Sequence, residues 1–416
     1  MLASFQLRDY LRVRTAGRLL VVLLCLCLWA SHSAQAQYQV HGVTVDKDTK
    51  EPIPFVSIGV KGTSLGTASN MEGEFVLNLP AGPQKLIVSE IAHQRDTVTV
   101  TGPGALLRIE LASASVTLPE VKVGSYAFQL VDRAYQHLQA SYDQKFFGKA
   151  YYRQVTRIGN EPTELQEMIW NVKSNGARIE GTTTTQGRFA AQQALFNFTN
   201  FSFNTKAYGL FDPRQDSTES LALISPNTFQ NYLVELVQIL ENGDSNVAEL
   251  SFETRPELKG YQAKGTVWID ADTYKVLRFK IATPNYTSAS RNPTYKLANT
   301  LLEFDLVFKS TTQDISPLDH IQVNLTANVV RPSTPTKKLA VSSFTYFYDT
   351  SEKQPAGVRY EAVSLRDKDR ETIRGIKYNP EFWANNPVVQ RTPVEDEVIQ
   401  AFEKKGAFGN MVPKSK

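Results

Sequence analysis

Hydrophobic and polar residues alternate with a period of two through most of the chain, so strands dominate the expected architecture. Val43 and Val45 alternate with polar neighbours, Asp46 to Thr49 is a polar turn, and Pro52 and Pro54 pin the chain before a strand from Phe55 to Lys61. Gly62 and Gly66 flank a further turn. Asn70-Met71-Glu72-Gly73 then reverses the chain, its glycine free to take a positive φ, before Phe75, Leu77 and Leu79 point to one face. The alternation continues through Lys85 to Ile91, Thr97 to Thr101 and Leu106 to Leu111, with Pro80 to Pro83 and Gly102 to Gly104 as turns. Each apolar face needs a second layer to cover it, which predicts a β-sandwich over residues 37–112. The small, polar stretch that follows is read as a linker over residues 113–124.

The period then changes. Phe128, Val131, Ala134, Tyr135 and Leu138 recur at steps of three and four, predicting a helix from Ser125 to Tyr142 with Ser125 as its N-cap. Phe146 to Arg153 opens a sheet, and strands are expected at Leu165 to Val172, Val247 to Phe252, Gly260 to Asp270, Tyr274 to Ile281, Leu302 to Phe308, Ile321 to Val329 and Val341 to Tyr348. Asp270 to Thr273 is the turn of a hairpin. Thr228 to Leu240, apolar along Phe229, Leu233, Leu236, Val237 and Leu240, is read as a second, buried helix. Gly181 to Thr218 is rich in Thr, Gln, Asn and Phe and is read as long surface loops. From Tyr378 onward a Pro-punctuated aromatic tail leads to a helix at Val394 to Lys404, with Gly406 as its cap and Phe382 and Trp383 pinned to the sheet.

Three stretches carry resemblances. The run E-P-I-P-x-x-S-I-x-V-K-G-T-x-x-G-T from Glu51, followed by N-M-E-G-E-F from Asn70, resembles the carboxypeptidase-regulatory-like domain, and Leu118 to Val123 resembles the segment that closes it. That resemblance implies a prealbumin-like, seven-stranded sandwich of a kind common in Bacteroidota outer-membrane and periplasmic proteins. Ser69-Asn70 and Ile91-Ala92-His93 depart from the usual residues at two of its turns. The helix followed by Tyr151-Tyr152-Arg153 resembles a segment of uncharacterised Bacteroidota envelope proteins, and G-x-V-W-I-D-x-x-T-x-K-V-x-R from Gly265 is similar to hairpins of periplasmic lipoprotein-carrier half-barrels. The expected fold class is therefore mainly β, between all-β and α+β. It comprises the sandwich, then a curved antiparallel sheet packed with two helices over residues 125–377, then the tail over 378–416.

Charge and cysteine usage narrow the function. Arg8, Arg12, Arg14 and Arg18 precede an apolar run from Leu19 to Ala30 and the small-x-small triplet Ala34-Gln35-Ala36, the pattern of a secretory signal peptide over residues 1–36 cleaved between Ala36 and Gln37. Cys25 and Cys27 both lie inside it, so the mature chain is expected to hold no disulfide and no thiolate ligand. Taking its four arginines and one aspartate from the 45 basic and 42 acidic residues leaves 41 of each. A neutral mature chain argues against nucleic acid or an anionic membrane surface as partner, and no membrane span is expected after cleavage. The expected location is the periplasm or the periplasmic face of the outer membrane.

Candidate chemistry is sparse. A zinc carboxypeptidase needs a His-x-x-Glu pair, and none of His41, His93, His137 and His320 has a glutamate three residues on; His93 has only Asp96. Asp270 and Asp272 suit a hairpin turn better than a calcium loop, and Glu303 and Asp305, two apart on one strand, suit its wet face better than a glycosidase pair. No nucleophile elbow, phosphate loop or dinucleotide fingerprint is present, and the four glycosylation sequons are read as chance. No cofactor, metal or catalytic residue is expected. Trp170, Trp268, Phe279, Phe304, Phe308, Tyr346 and Tyr348 sit on strands; they either fill an ordinary core or, chiefly Trp170, Trp268, Phe279, Phe304 and Tyr346, line an apolar cavity for a lipid-like ligand beneath the loops. The favoured reading is a non-catalytic envelope protein that binds or scaffolds another envelope protein through the sandwich. A periplasmic carrier or sensor of a hydrophobic, lipid-like ligand in the second domain is the alternative, and a metallohydrolase comes last.

Overall fold

The computed structural model describes residues 37–104, 106–117, 123–159, 161–191, 198, 200–214, 220–242, 245–286, 295–309, 316–385, 388–389, 391 and 393–404. The expected signal peptide, most of the Leu118 to Val123 run and the Gly406 cap lie outside them. Gln37, the expected first mature residue, opens the first strand.

Seven short strands make the sandwich: β1 (Gln37–Asp46), β2 (Ser57–Val60), β3 (Gly66–Ala68), β4 (Glu74–Pro80), β5 (Gln84–Ser89), β6 (Asp96–Val100) and β7 (Leu107–Leu111). They form two sheets of order β4-β1-β7 and β3-β2-β5-β6. Alternate residues close the core between them, with Val56, Ile58, Phe75, Leu79, Leu86, Val88, Ile109 and Leu111 nearly or fully buried. At the Asn70 reversal Gly73 takes φ +75°, and a Cβ there would lie 2.5 Å from the Thr44 carbonyl. At the first of the two turns that depart from the expected pattern both residues are used: Ser69 Oγ accepts the Val56 N–H at 2.8 Å, and Asn70 Oδ1 accepts those of Glu72 and Glu74 at 3.0 and 2.8 Å.

The rest of the chain is one twelve-stranded sheet. It consists of β8 (Ser115–Thr117), β9 (Phe146–Ile158), β10 (Glu161–Ser174), β11 (Ile179–Ala191), β12 (Tyr232–Asn242), β13 (Ser245–Thr254), β14 (Lys264–Asp270), β15 (Val276–Pro284), β16 (Lys296–Phe308), β17 (Leu318–Val330), β18 (Lys337–Ser351) and β19 (Glu361–Ala362). All neighbours are antiparallel, in the order β19-β11-β10-β9-β18-β17-β16-β15-β14-β13-β12-β8. On the inner face lies α1 (Val123–Ala140), whose Ala127, Leu130, Val131, Ala134 and Leu138 bury against inward residues such as Val267, Phe279, Leu306 and Ile321. Two short helices, α2 (Ser202–Lys206) and α3 (Thr228–Asn231), are followed later by α4 (Asp369–Arg374), whose Ile373 joins the same core.

Three expectations are corrected. Thr228 to Leu240 is not a helix: only α3 is helical, and β12 follows directly. Tyr232, Val234 and Leu236 point inward at strand spacing, a bulge between Leu236 and Gln238 shifts the phase, and Leu240 turns to the outer face beside Trp268. Strand spacing plus one inserted residue mimics a helical stripe, and Phe229, placed in that stripe, is 63% exposed. The stretch from Gly181 is not all loop, because residues to Ala191 belong to β11, paired along β10; its run of threonines is polar yet β-branched, which suits a half-wet strand. The linker also contributes structure, since β8 pairs with β12 at the sheet edge.

The tail packs on the outer face. Helix α5 (Pro380–Asn385) places Trp383 among Ala68, Tyr151, Ile169, Tyr346 and Val389, and α6 (Pro393–Lys404) buries Val398, Ile399 and Phe402 against Val155, Leu165 and Ala190. Beneath it, Glu167 accepts hydrogen bonds from Arg153 Nε at 3.0 Å, Arg188 Nε at 2.6 Å and the Tyr151 hydroxyl. Arg153 Nη1 reaches Glu395 of α6 at 2.7 Å, and the Arg188 guanidinium lies 4.7 Å from the Trp383 ring centroid.

Candidate functional site: a cleft between sandwich and sheet

The sandwich rests on the outer face of the same sheet, on β15 to β18. Phe55, the residue before buried Val56, is held at φ +57°, a conformation that costs a bulky side chain about 1–2 kcal/mol. Its ring stacks 5.0 Å from Phe344 and lies 5.8 Å from His320. Ser57 Oγ donates to Asp319 Oδ1 at 2.9 Å, and Thr67 Oγ1 donates to the Val388 carbonyl at 3.0 Å. A second junction runs through ions. His93 lies between Asp46 (Nε2, 3.2 Å) and Glu90 (Nδ1, 2.6 Å), and Glu90 Oε1 takes Arg278 Nη1 at 3.2 Å. Arg278 in turn grips Asp305 with two bonds of 2.9 and 2.8 Å.

Between these junctions lies a cleft of about 470 Å³. Its apolar lining includes Phe55, Ile91, Leu277 and Val307, and its polar lining includes Ser57, Arg95, Lys275, Lys309, Ser316 and His320. A neighbouring hollow of about 290 Å³ shares Ser57, Ser89, Arg95 and Lys309 with it. A larger groove of about 730 Å³ crosses the exposed outer face among Glu235, Glu253, Lys280, Glu303 and Gln322.

Local irregularity builds the polar end. β16 and β17 slip register so that Val307 faces His320 and Phe308 faces Leu318, which leaves Asp319 as the extra residue. That bulge lets two consecutive side chains meet, His320 Nδ1 lying 2.8 Å from Asp319 Oδ2 with both residues almost fully buried. Burial alone would raise the Asp319 carboxyl; the hydrogen bond and charge of His320, with Lys309 and Ser57, outweigh it and hold the group below its ordinary range. Burial lowers the Lys309 ammonium, whose nearest polar contact is Thr350 Oγ1 at 3.4 Å. Ser316 Oγ is buried with no hydrogen-bond partner among the described residues.

A serine, an aspartate and a histidine thus stand together, but in the wrong order for acyl transfer. A nucleophilic hydroxyl must hydrogen-bond the imidazole, which the carboxylate then orients. Here Ser57 and His320 both lean on the same carboxylate, so neither activates the other. Among the described residues no group of three or more His, Cys, Asp or Glu is placed to hold a metal ion. Asp270 Oδ1 caps its own turn by accepting the N–H groups of Asp272 and Thr273, and Asp305 is committed to Arg278.

The aromatic set does not converge on one chamber. Trp170, Phe279, Phe304 and Phe308 face α1, Trp170 stacked 4.9 Å from Tyr152 with Lys206 4.5 Å from its ring. Trp268 and Tyr346 lie on the opposite face, Trp268 against Ala114, Leu240 and Val247 and Tyr346 beside Trp383, with Tyr348 stacked on Tyr346. Alternation along each strand separates the two groups. Lys309, Ser316 and the Asp319–His320 pair, which line or floor the cleft, carried no motif; the one signal available was an adjacent Asp-His step at the start of a strand.

The ion chain gives a pH dependence with a definite sign. The hydrogen bond to Glu90 raises the His93 pKa, against burial, so its contribution to stability is complete below the ordinary histidine value of about 6.5 and is lost as pH rises through the raised one. Burial opposes ionisation of Glu90 and Asp305, yet His93 and Arg278 hold both low, so their contributions persist above the ordinary carboxylate range and fade in acid. Melting temperature should therefore fall as pH rises above about 6.5, and a His93→Gln chain should lose that alkaline decline. An unchanged decline in the variant would assign it to other groups.

No curated protein matches the chain. Among solved structures it is similar to a LolA superfamily protein from Nitrosomonas europaea, at 11% identity over 55% of this chain and 94% of that one, with a TM-score of 0.22. It is similar also to a DUF1329 family protein from Desulfovibrio piger, at 10% identity over 56% and 95%, with a TM-score of 0.21. Both scores are too low to bear on function. No helix among the described residues is long and apolar enough to cross a membrane. Residues 40–123, the sandwich and the segment that follows it, match the family model of the CarboxypepD_reg-like domain.

Proposed function

We propose that this chain is an exported, non-catalytic binding protein of the Bacteroidota cell-envelope type, and that its ligand sits in the cleft between the sandwich and the sheet. One observation carries the reading: the cleft combines apolar lining with a buried hydroxyl, Ser316 Oγ, that has no partner among the described residues, while its serine, aspartate and histidine lack the order that catalysis requires. Export rests on the basic segment, apolar run and Ala34-Gln35-Ala36 triplet at the N-terminus. Native and denaturing mass spectrometry of the purified chain should differ by a bound small molecule, and Leu277→Trp, which fills the apolar side, should abolish the difference. Identical masses for the parent chain, or stoichiometric zinc on metal analysis, would remove the support for this reading.

A scaffold role is compatible with ligand binding and is favoured by β6, which ends the four-stranded sheet with one side unpaired among the described strands. Under that reading Thr97→Pro blocks association with a partner envelope protein and leaves ligand binding intact; loss of both, or of neither, would count against it.

A further inference from the structure

We infer that the cleft takes a small anionic amphiphile, its acidic head at Lys309 and Ser316 and its apolar body along Phe55, Ile91, Leu277 and Val307. The inference rests on the cleft being the binding site and goes further by naming the ligand's chemistry.

The charges in the cleft are unequally committed. Glu90 is held by His93, Arg278 and the Ala92 N–H, Arg278 is divided between Glu90 and Asp305, and Asp270 caps its turn. Among the described residues Lys309 makes no ion pair within 4 Å; the carboxylates that influence it, Asp319 and Asp349, are engaged with Ser57 and His320 and with Lys149. A burial-depressed ammonium without a counter-charge is costly, and an incoming anion removes that cost. Ser316 is 5% exposed, lines the same cleft, and leaves its hydroxyl without a partner, a donor ready for the second oxygen of a carboxylate or phosphate. His320 turns its Nδ1 to Asp319, so Nε2 is the ring nitrogen left for the cleft. The apolar lining at Phe55, Ile91, Leu277 and Val307 suits a hydrocarbon body, and about 470 Å³ is room for a ligand of drug size.

The test is titration calorimetry of the full mature chain with decanoate, decyl phosphate and decanol. At least one anion should bind about tenfold or more tightly than decanol, since a charge-assisted contact is worth that ratio or more; the tighter anion names the head group. Lys309→Met should bring the anions to decanol's affinity and raise the ligand-free melting temperature by relieving the partly buried charge. Ser316→Ala, which removes only an unpartnered hydroxyl, should weaken the anion several-fold and leave decanol unchanged, and it decides the matter if Lys309→Met does not fold. Equal binding of decanol and both anions overturns the anionic head and leaves the cleft as a binding site. Failure of all three probes to bind overturns both.

Discussion

A Glu167→Ala chain should unfold about 3–5 kcal/mol more readily than the parent, the usual cost of breaking a buried ion pair from one side. Glu167 is 1% exposed and is the shared acceptor of Arg153 and Arg188, themselves 5% and 2% exposed. Burial raises its pKa, yet the two guanidiniums and the Tyr151 hydroxyl bring it down to about 2. Removing the carboxylate takes a shared acceptor from two cations in a region closed by Trp383 and α6, where Glu395 still answers Arg153. The sign in acid follows: a depressed carboxylate stabilises above its unfolded pKa, so this contribution fades from about pH 5 toward 2, and the variant should show a flatter acid limb. Urea unfolding at pH 7 and pH 4 measures both effects. A loss under about 1 kcal/mol would mean that the arginines reach water by lifting the tail, and that the network does not anchor it.

The sandwich was largely legible in the chain because its information is local. Turn residues such as Pro52, Pro54 and Gly73 sit where the backbone needs them, and beyond the last of them Phe75, Leu77 and Leu79 keep to the core face. The sheet was legible wherever alternation was clean, as in β16 and β17. It failed where a bulge broke the phase, in β12, and where threonines replaced aliphatic residues, in β11. The cleft was hidden for a different reason. Its residues come from positions 55, 57, 91, 277, 309, 316 and 320, joined only when the sandwich docks on the outer face. The bulge that pairs Asp319 with His320 depends on a slip against Val307 and Phe308, which no periodicity announces.

Docking of the tail supplies the second large effect, because Trp383 touches three parts of the molecule at once. Its ring packs against Ala68 of the sandwich, Tyr151, Ile169 and Tyr346 of the sheet, and Val389 of its own segment, and Arg188 lies over it. Trp383→Ala should cost about 3–5 kcal/mol, the range for emptying a buried aromatic site. It should also expose the segment around α5 and α6 to protease, since the contacts that hold it run through this ring and through Arg153–Glu395. Because Arg188 serves both Glu167 and Trp383, the effects of Glu167→Ala and Trp383→Ala should not add. Once Glu167 is gone Arg188 has lost that carboxylate but keeps its contact with the ring, so the double variant should depart from additivity by about 0.5–3 kcal/mol. Urea midpoints of the four chains, read beside their proteolysis rates, decide this. Strict additivity would show that ring and carboxylate hold the tail independently, with Arg188 a bystander between them.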